Sequence, residues 1–191
     1  MINDSFKCQL INPLGEIGLR LDTETQIVDE LGPDAFTIVV FDQAEVIGTA
    51  SIKPWEVNDP TVWKPVGEFT ELPAEQVFID SDTPECSGCK GDFELSLVAI
   101  KAGEKYRCKG LAETLTVMCE DEILKRWKAD CDSGSESPFI IIIVQVVREV
   151  NGPYWLRKGF KVVKEKYCPP LTYNVEKEFV FWAMRRELLV Q

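Results

Sequence analysis

Two patterns of hydrophobic and polar positions divide the chain into strands and helices. Runs rich in β-branched and aromatic residues, or apolar throughout, predict strands. These strands are predicted at residues 6–11, 35–41, 46–55, 92–100, 139–147, 161–167 and 178–184. Apolar residues at helical spacing, together with start and stop signals, predict helices at residues 23–31, 109–130 and 151–160. Strands and helices therefore share one α/β fold.

The longest predicted helix connects two of the predicted strands. One apolar face of the helix at 109–130 is predicted to carry Leu111, Leu115, Met118, Ile123 and Trp127. The strand, helix and strand of residues 92–147 form a unit that should be parallel and right-handed. We therefore predict a mixed sheet, in a chain whose 191 residues fit a single domain.

Residues 56–92 interrupt the pattern with prolines, acidic residues and a stretch too long for an ordinary connection. Within them, residues 74–80 are predicted to form a short strand or a helical turn. The segment either lines a substrate site or is a solvated insertion, and the sequence does not favour one over the other. Cys86 and Cys89 form a single C-x-x-C pair. A structural zinc site needs four ligands, so plain thiols are favoured over a metal site or a disulfide.

Charge and composition narrow the possible partners. The net charge is −11 and the sequence pI is about 4.6, which argues against nucleic acid and, more weakly, against an anionic membrane surface. A cationic substrate fits this charge better. The first residues show no signal peptide, and the apolar run at 139–144 is too short to cross a bilayer. We expect a cytoplasmic protein with reduced cysteines.

The chain contains no histidine. This excludes catalysis by a serine or cysteine nucleophile with a histidine base, and every histidine-ligated metal site. A general base must then come from an aspartate, glutamate, tyrosine, lysine, cysteine or water chain.

A basic turn stands where the predicted strand at 92–100 gives way to the long helix. Arg107 and Lys109 supply positive charge, and Gly110 lets a ligand approach the backbone closely. The first N–H groups of a helix have no partner within the helix, so such a turn suits a phosphate or pyrophosphate. The alternative is a solvated basic loop that merely begins a helix. Neither the Walker A motif nor the dinucleotide-binding glycine motif is present.

The turn resembles the acetyl-CoA signature of the GNAT superfamily of N-acetyltransferases, [QR]-x-x-G-x-[GA]. Residues 107–112, Arg-Cys-Lys-Gly-Leu-Ala, match it. The context is also similar to the family: a strand "FELSLVAI" precedes the turn, a long helix and an apolar strand follow, and "YWLRKGF" at 154–160 is similar to the family's helix end. The resemblance runs from about residue 35 to residue 185.

The resemblance implies a GNAT fold and acetyl-CoA as cosubstrate. That fold is a mixed, mostly antiparallel sheet of six or seven strands, with a central splayed parallel pair and flanking helices. The pyrophosphate would lie on the backbone of Arg107, Cys108, Lys109, Gly110, Leu111 and Ala112. The pantetheine arm would pair with the backbone of Val98 and Ile100. A bulge in the same strand would separate it from the strand at 139–147.

The resemblance also implies catalytic residues. Glu94 is the candidate general base, because the histone-acetyltransferase branch carries its catalytic glutamate at the matching place; Asp92 and Glu104 are weaker alternatives. Trp155 occupies the position of the family's usual tyrosine, which protonates the departing thiolate. Tyr154 stands one residue earlier and is the candidate acid, although a thiol with a pKa near ~8.5 also leaves as its anion.

The function implied is N-acetylation of a primary amine by direct attack on the thioester. The acceptor would be a small amine, a polyamine, or a lysine or N-terminus of a peptide; no metal site is expected. Two alternatives remain open. One is a non-catalytic acyl-CoA-binding or protein-interaction module on the same fold, and the other is transfer of a longer acyl group.

Overall fold

The computed structural model describes residues 1–7, 14, 21–23, 25–56, 61–78, 92–130, 139–172 and 175–190. Its helices are α1 (Ile2–Lys7), α2 (Gln26–Leu31), α3 (Leu111–Asp130) and α4 (Arg148–Arg157). Its strands are β1 (Phe36–Asp42), β2 (Glu45–Pro54), β3 (Lys64–Pro65), β4 (Asp92–Ile100), β5 (Phe139–Val147), β6 (Lys161–Cys168) and β7 (Phe179–Leu189). A short 3-10 turn covers Ala74–Gln76.

The described strands form one seven-stranded sheet in the order β1-β2-β4-β5-β7-β6-β3. Strands β4 and β5 are parallel, and the other neighbouring strands are antiparallel. Helix α3 connects the two parallel strands. This confirms the predicted mixed, mostly antiparallel sheet with a parallel pair at its centre.

The main hydrophobic core lies between one face of the sheet and helices α3 and α4; we call this the core face. Helix α3 presents Leu115, Cys119 and Ile123 to it, each at most 1% exposed. Burial also raises the pKa of the Cys119 thiol to about 12. The predicted apolar face was wrong at Met118, which is 41% exposed, because the buried stripe repeats every four residues and Met118 lies about 100° from Cys119 around the helix.

Most predicted elements agree with the structure to within a few residues, and β4 and β5 have the predicted bounds. The strand predicted for residues 6–11 was wrong at its start, because residues 6 and 7 belong to α1; its remaining residues lie outside the described ranges. The short helix begins earlier than predicted, at Arg148, and ends at Arg157.

The described part of the 56–92 segment closes one edge of the sheet. Its strand β3 pairs with β6, and Val77 forms a parallel bridge with Val162 of β6. The buried Glu165 of β6 accepts hydrogen bonds from the backbone N–H groups of Gly67 and Phe69, at 3.1 and 2.6 Å. This part of the segment is therefore packed against the sheet. Residues 86 and 89, the C-x-x-C pair, lie outside the described ranges.

The packing of α4 on the sheet leads to a prediction for Gly152. A Cβ added there would lie 2.7 Å from Cζ3 of Trp182, a buried ring that cannot easily move. Alanine favours a helix over glycine by about 1 kcal/mol, but we expect Gly152→Ala to lower the free energy of unfolding by about 1–3 kcal/mol because of overpacking. Urea unfolding measures this. Asn151→Ala, the neighbouring substitution, is the control, and equal stability of Gly152→Ala and wild type would contradict the clash.

Candidate active site

Strands β4 and β5 run side by side over a short stretch and then separate. Their parallel pairing ends at Glu94, which lies opposite Ile143. Beyond this point β4 stays paired with β2 as far as Ile100, and β5 stays paired with β7 as far as Val147. The two central strands therefore leave a wedge between them, which we call the strand gap.

A β-bulge in β4 explains the separation. Ser96 and Ala99 pair with Ser51 and Thr49 of β2, so two residues of β4 face one residue of β2. Within the bulge, Leu97 has a φ of 49°, a left-handed conformation that residues with a Cβ rarely adopt. A bulge bends its strand and increases the local twist. The bulge therefore turns the end of β4 away from β5, as the family resemblance implied.

Val98 and Ile100 lie on β4 beside the strand gap, and both are half-buried. On the side away from the gap, Ile100 pairs with Gly48 of β2. The carbonyl of Ile100 also accepts a hydrogen bond from the Ser5 hydroxyl of α1, at 2.6 Å. Helix α1 is thus fixed to the end of β4, next to the turn that precedes α3.

The turn between β4 and α3 is held in place by the β1–β2 hairpin. The Lys105 ammonium and the Tyr106 hydroxyl both donate hydrogen bonds to the Asp42 carboxylate, the latter at 3.0 Å. The bond from Lys105, followed by that from Tyr106, lowers the pKa of Asp42 below its usual value. The backbone N–H groups of Tyr106 and Arg107 both donate to the carbonyl of Gly103, each at 3.1 Å. These bonds fix the residues immediately before the signature.

The signature residues themselves present free backbone donors. Cys108 and Gly110 have positive φ values of 55° and 74°, and the first helical hydrogen bond runs from the N–H of Thr114 to the carbonyl of Gly110, at 2.9 Å. Within the described part of the chain, no acceptor is found for the N–H groups of residues 108–113. Residues 107–110 are exposed. The donors therefore face solvent at the positive end of the α3 dipole.

The space in front of this turn is open. A Cβ added at Gly110 would meet no heavy atom within 4 Å. The glycine is thus not required by close packing of the protein against itself. Its positive φ remains a reason for glycine, because a Cβ is strained there.

Glu94 lies where the strand gap begins, and it is only 9% exposed. Its neighbour Leu95 belongs to the main core, so Glu94 points to the opposite face of the sheet, which we call the far face. There its carboxylate lies 3.4 Å from the Lys53 ammonium of β2. Asp92 shares this face, whereas Glu104 is exposed in the turn. The sequence alone carries no signal for Lys53, because the pair depends on the strand register.

Tyr154 and Trp155 occupy different environments on α4. Trp155 is 5% exposed and packs edge-on against Phe160, with ring centroids 5.1 Å apart. Tyr154 is half-buried, and its ring lies 5.8 Å from the Lys158 ammonium, which pairs at 2.7 Å with Glu113 in the first turn of α3. The structure thus brings Tyr154 towards the start of α3. Burial raises the pKa of Tyr154, which makes it a weaker acid.

Metal-ligand clusters and membrane-spanning helices are both absent from the described ranges. In the described ranges, no group of three or more cysteine, aspartate or glutamate side chains is arranged to hold a metal ion. The helices of the same ranges include none that is long and apolar enough to cross a membrane. Cys108, Cys119 and Cys168 are free thiols.

Comparison with known proteins identifies the fold. No protein-family model matches the sequence, and no curated protein matches it. An aminoglycoside 6'-N-acetyltransferase complexed with coenzyme A has a similar structure, with 13% identity, a TM-score of 0.51, and coverage of 99% of this chain and 91% of that one. For smu.2055 from Streptococcus mutans UA159 the identity is 12%, the TM-score 0.52, and the coverage 92% and 82%. The aminoglycoside 6'-N-acetyltransferase from Enterococcus faecium is 12% identical, with a TM-score of 0.50 and coverage of 99% of this chain and 90% of that one. This chain has the GNAT fold, as its motif predicted.

Proposed function

We propose that this chain is an acetyl-CoA-dependent N-acetyltransferase that acts on a primary amine, with residues 1–191 forming one domain in the cytoplasm. The observation that carries the proposal is the set of unpaired N–H groups at residues 108–113, which follow an exposed turn at the start of α3 beside the strand gap. An anionic group suits such a helix start. That a structure of the same fold is complexed with coenzyme A supports this choice of anion.

The cofactor would be bound mainly by backbone groups. The diphosphate would accept hydrogen bonds from the N–H groups of residues 108–112, and Arg107 and Lys109 would add positive charge. The pantetheine arm would lie along the edge of β4 that β5 leaves, and would pair with the backbone of Val98 and Ile100 in the manner of an added strand. The strand gap is what makes that edge accessible.

The chemistry would take place at the narrow end of the strand gap. The amine nitrogen attacks the thioester carbonyl, a C–N bond forms, and Glu94 takes a proton from the nitrogen, directly or through a water molecule. Collapse of the tetrahedral intermediate then breaks the C–S bond. CoA leaves as a thiolate, which its ordinary thiol pKa of ~8.5 allows. Tyr154 stays protonated at neutral pH, and its raised pKa gives it little advantage as a proton donor.

Two measurements test the proposal in sequence. The first is thermal unfolding with and without CoA: at 100 times its Kd the ligand should stabilise the protein by about 2.7 kcal/mol. The second is thiol release from acetyl-CoA across a panel of small amines, polyamines, lysine peptides and peptide N-termini. Stabilisation followed by amine-dependent release supports the enzyme. The absence of any stabilisation by CoA would overturn the proposal.

Lys53 leads to a further prediction for this reaction. Its ammonium lies 3.4 Å from the Glu94 carboxylate, on the side of β2. We expect Lys53→Met to lower kcat/KM for amine acetylation about tenfold, because a buried charge that loses its ion-pair partner is costly. Lys53→Arg keeps the charge and should keep most of the activity. Equal kcat/KM values for Lys53→Met and wild type would contradict a role for the pair.

A non-catalytic acyl-CoA-binding module remains the second candidate. The burial of Trp155 in the core favours it, because no tyrosine occupies that position and Tyr154 is a weak acid. This candidate predicts stabilisation by CoA together with no thiol release for any amine. Repeating the release assay with longer acyl-CoA donors distinguishes it from transfer of a longer acyl group.

A further inference from the structure

We propose that the acceptor amine carries a carboxylate, which binds in a cavity beside β6 and β7, next to Arg185 and Lys161. This inference rests on the proposed function. The cavity has a volume of about 150 Å³ and is lined by Phe78, Gly159, Lys161, Arg185, Arg186 and Glu187. It is separate from the turn that is proposed to hold the diphosphate, since its residues belong to β6, β7 and the segments beside them.

The strand register connects this cavity to Glu94. Lys53 lies opposite Glu94, Glu94 opposite Ile143, Ile143 opposite Arg185, and Arg185 opposite Lys161. Residues directly opposite each other in a sheet share a face, so all five side chains project from the far face in one row. Neighbouring strands are about 4.8 Å apart. The Cα atoms of Glu94 and Arg185 are therefore roughly 10 Å apart, a distance that one small substrate can span.

Arg185 is a buried cation, and one of its N–H groups lacks an acceptor among the described residues. It is 8% exposed, and its guanidinium is held over the ring of Phe78 with 3.9 Å between the guanidinium carbon and the ring centroid. One of its nitrogens donates to Glu187 at 2.8 Å. Its Nε is buried and has no acceptor among the described residues. A buried guanidinium N–H without an acceptor is costly, so a negative charge in the adjoining cavity would stabilise this guanidinium.

The charged residues around the cavity carry one positive charge that no described acidic residue balances. Three cations line it, but Arg185 is paired with Glu187, and Arg186 is paired with Glu120 of α3. The exposed Lys161 has no ion-pair partner in the described ranges. One positive charge is therefore in excess, within a chain whose net charge is −11. A carboxylate, with one negative charge, matches this excess better than a phosphate dianion does.

The row of side chains then defines the substrate class. The amine would be deprotonated at Glu94 while a carboxylate on the same molecule lies between Lys161 and Arg185. The Cα atoms of Glu94 and Arg185 are roughly 10 Å apart, and both side chains can reach towards the substrate. The chain between its amine and its carboxylate would therefore span roughly 5–10 Å. An ω-amino carboxylate fits this description, and so does a peptide N-terminus followed closely by an acidic side chain.

Matched acceptors test the inference in the full chain. We expect 6-aminohexanoate to be acetylated with a kcat/KM about 10- to 100-fold above that of its neutral analogue 6-aminohexanamide. Lys161→Gln, at an exposed position, should remove most of this preference, so that the two acceptors are used at similar rates. Lys128→Gln, which removes an exposed lysine from α3, should retain the preference.

Two outcomes would overturn the subsite and leave acetyl transfer intact. One is equal use of the two acceptors by the wild-type protein, and the other is an equal loss with both acceptors in Lys161→Gln. A binding measurement covers the case in which no acceptor is turned over, where the proposed function itself fails. The Arg185 Nε–H resonance should shift on addition of 6-aminohexanoate but not of the amide, and an unchanged resonance would contradict the inference.

Discussion

Replacing Glu94 by glutamine is expected to lower kcat for amine acetylation by roughly 10²- to 10⁴-fold, the usual contribution of a positioned general base. The side chain keeps its shape, so binding of acetyl-CoA should not change. Without the base, the reaction depends on amine that is already deprotonated. The rate of Glu94→Gln should therefore rise about tenfold per pH unit up to the pKa of the amine, near ~10.4 for a lysine-like acceptor. Steady-state kinetics across pH measure both effects.

Two carboxylates of the same region provide the controls. Asp92 precedes Glu94 by two residues on the same face, and Glu104 is exposed in the turn. Asp92→Asn and Glu104→Gln should each retain most of the activity. If either costs as much as Glu94→Gln, or if Glu94→Gln is fully active with unchanged pH dependence, the base has been assigned to the wrong residue.

The central strands show why much of this fold was predictable. Strand β5 is a nearly continuous apolar run of nine residues, and β4 alternates polar and apolar residues before it ends in Val-Ala-Ile; both have the predicted bounds. The helix between them was also predicted, since its repeat continues over 20 residues. The parallel pairing then follows from the crossover rule. Local pattern and connection length were sufficient here.

Contacts between distant segments were not predictable in the same way. The pairing of Lys53 with Glu94, and the bonds from Lys105 and Tyr106 to Asp42, depend on strand register and on how a turn folds back onto a hairpin. No residue spacing along the chain encodes such contacts. The row that leads from Glu94 to Arg185 is of the same kind, since it crosses strands that are far apart in sequence.

The 56–92 segment shows a further limit. Its prolines and acidic residues indicate an irregular insertion, and the described part is irregular apart from β3 and a short turn. Its attachment depends on Glu165, which lies in β6 about 100 residues away and holds the backbone of Gly67 and Phe69. An acidic residue in a predicted strand would ordinarily be placed on the solvent side. Its burial here is set by the partner segment, which the strand's own sequence does not reveal.

The cofactor turn leads to the second prediction. Gly110→Asp should abolish detectable stabilisation by CoA, with at least a 100-fold increase in Kd expected from a carboxylate placed where an anion must bind. Aspartate tolerates a positive φ better than most residues do, and the space around position 110 is open. A carboxylate beside the first N–H groups of α3 also interacts favourably with the helix dipole. The protein should therefore stay folded while it loses the ligand.

Two substitutions separate charge from backbone strain. Gly110→Asn has the same shape without the charge, so it should bind CoA much more tightly than Gly110→Asp. Gly32 has a φ of 77° and equally open surroundings at the end of α2, so Gly32→Asp matches the strain at a distant site and should bind like wild type. Calorimetric titration with CoA gives the three affinities. If Gly110→Asp binds CoA as wild type does, the diphosphate does not lie on this turn, and the proposal of acetyl transfer loses its main support.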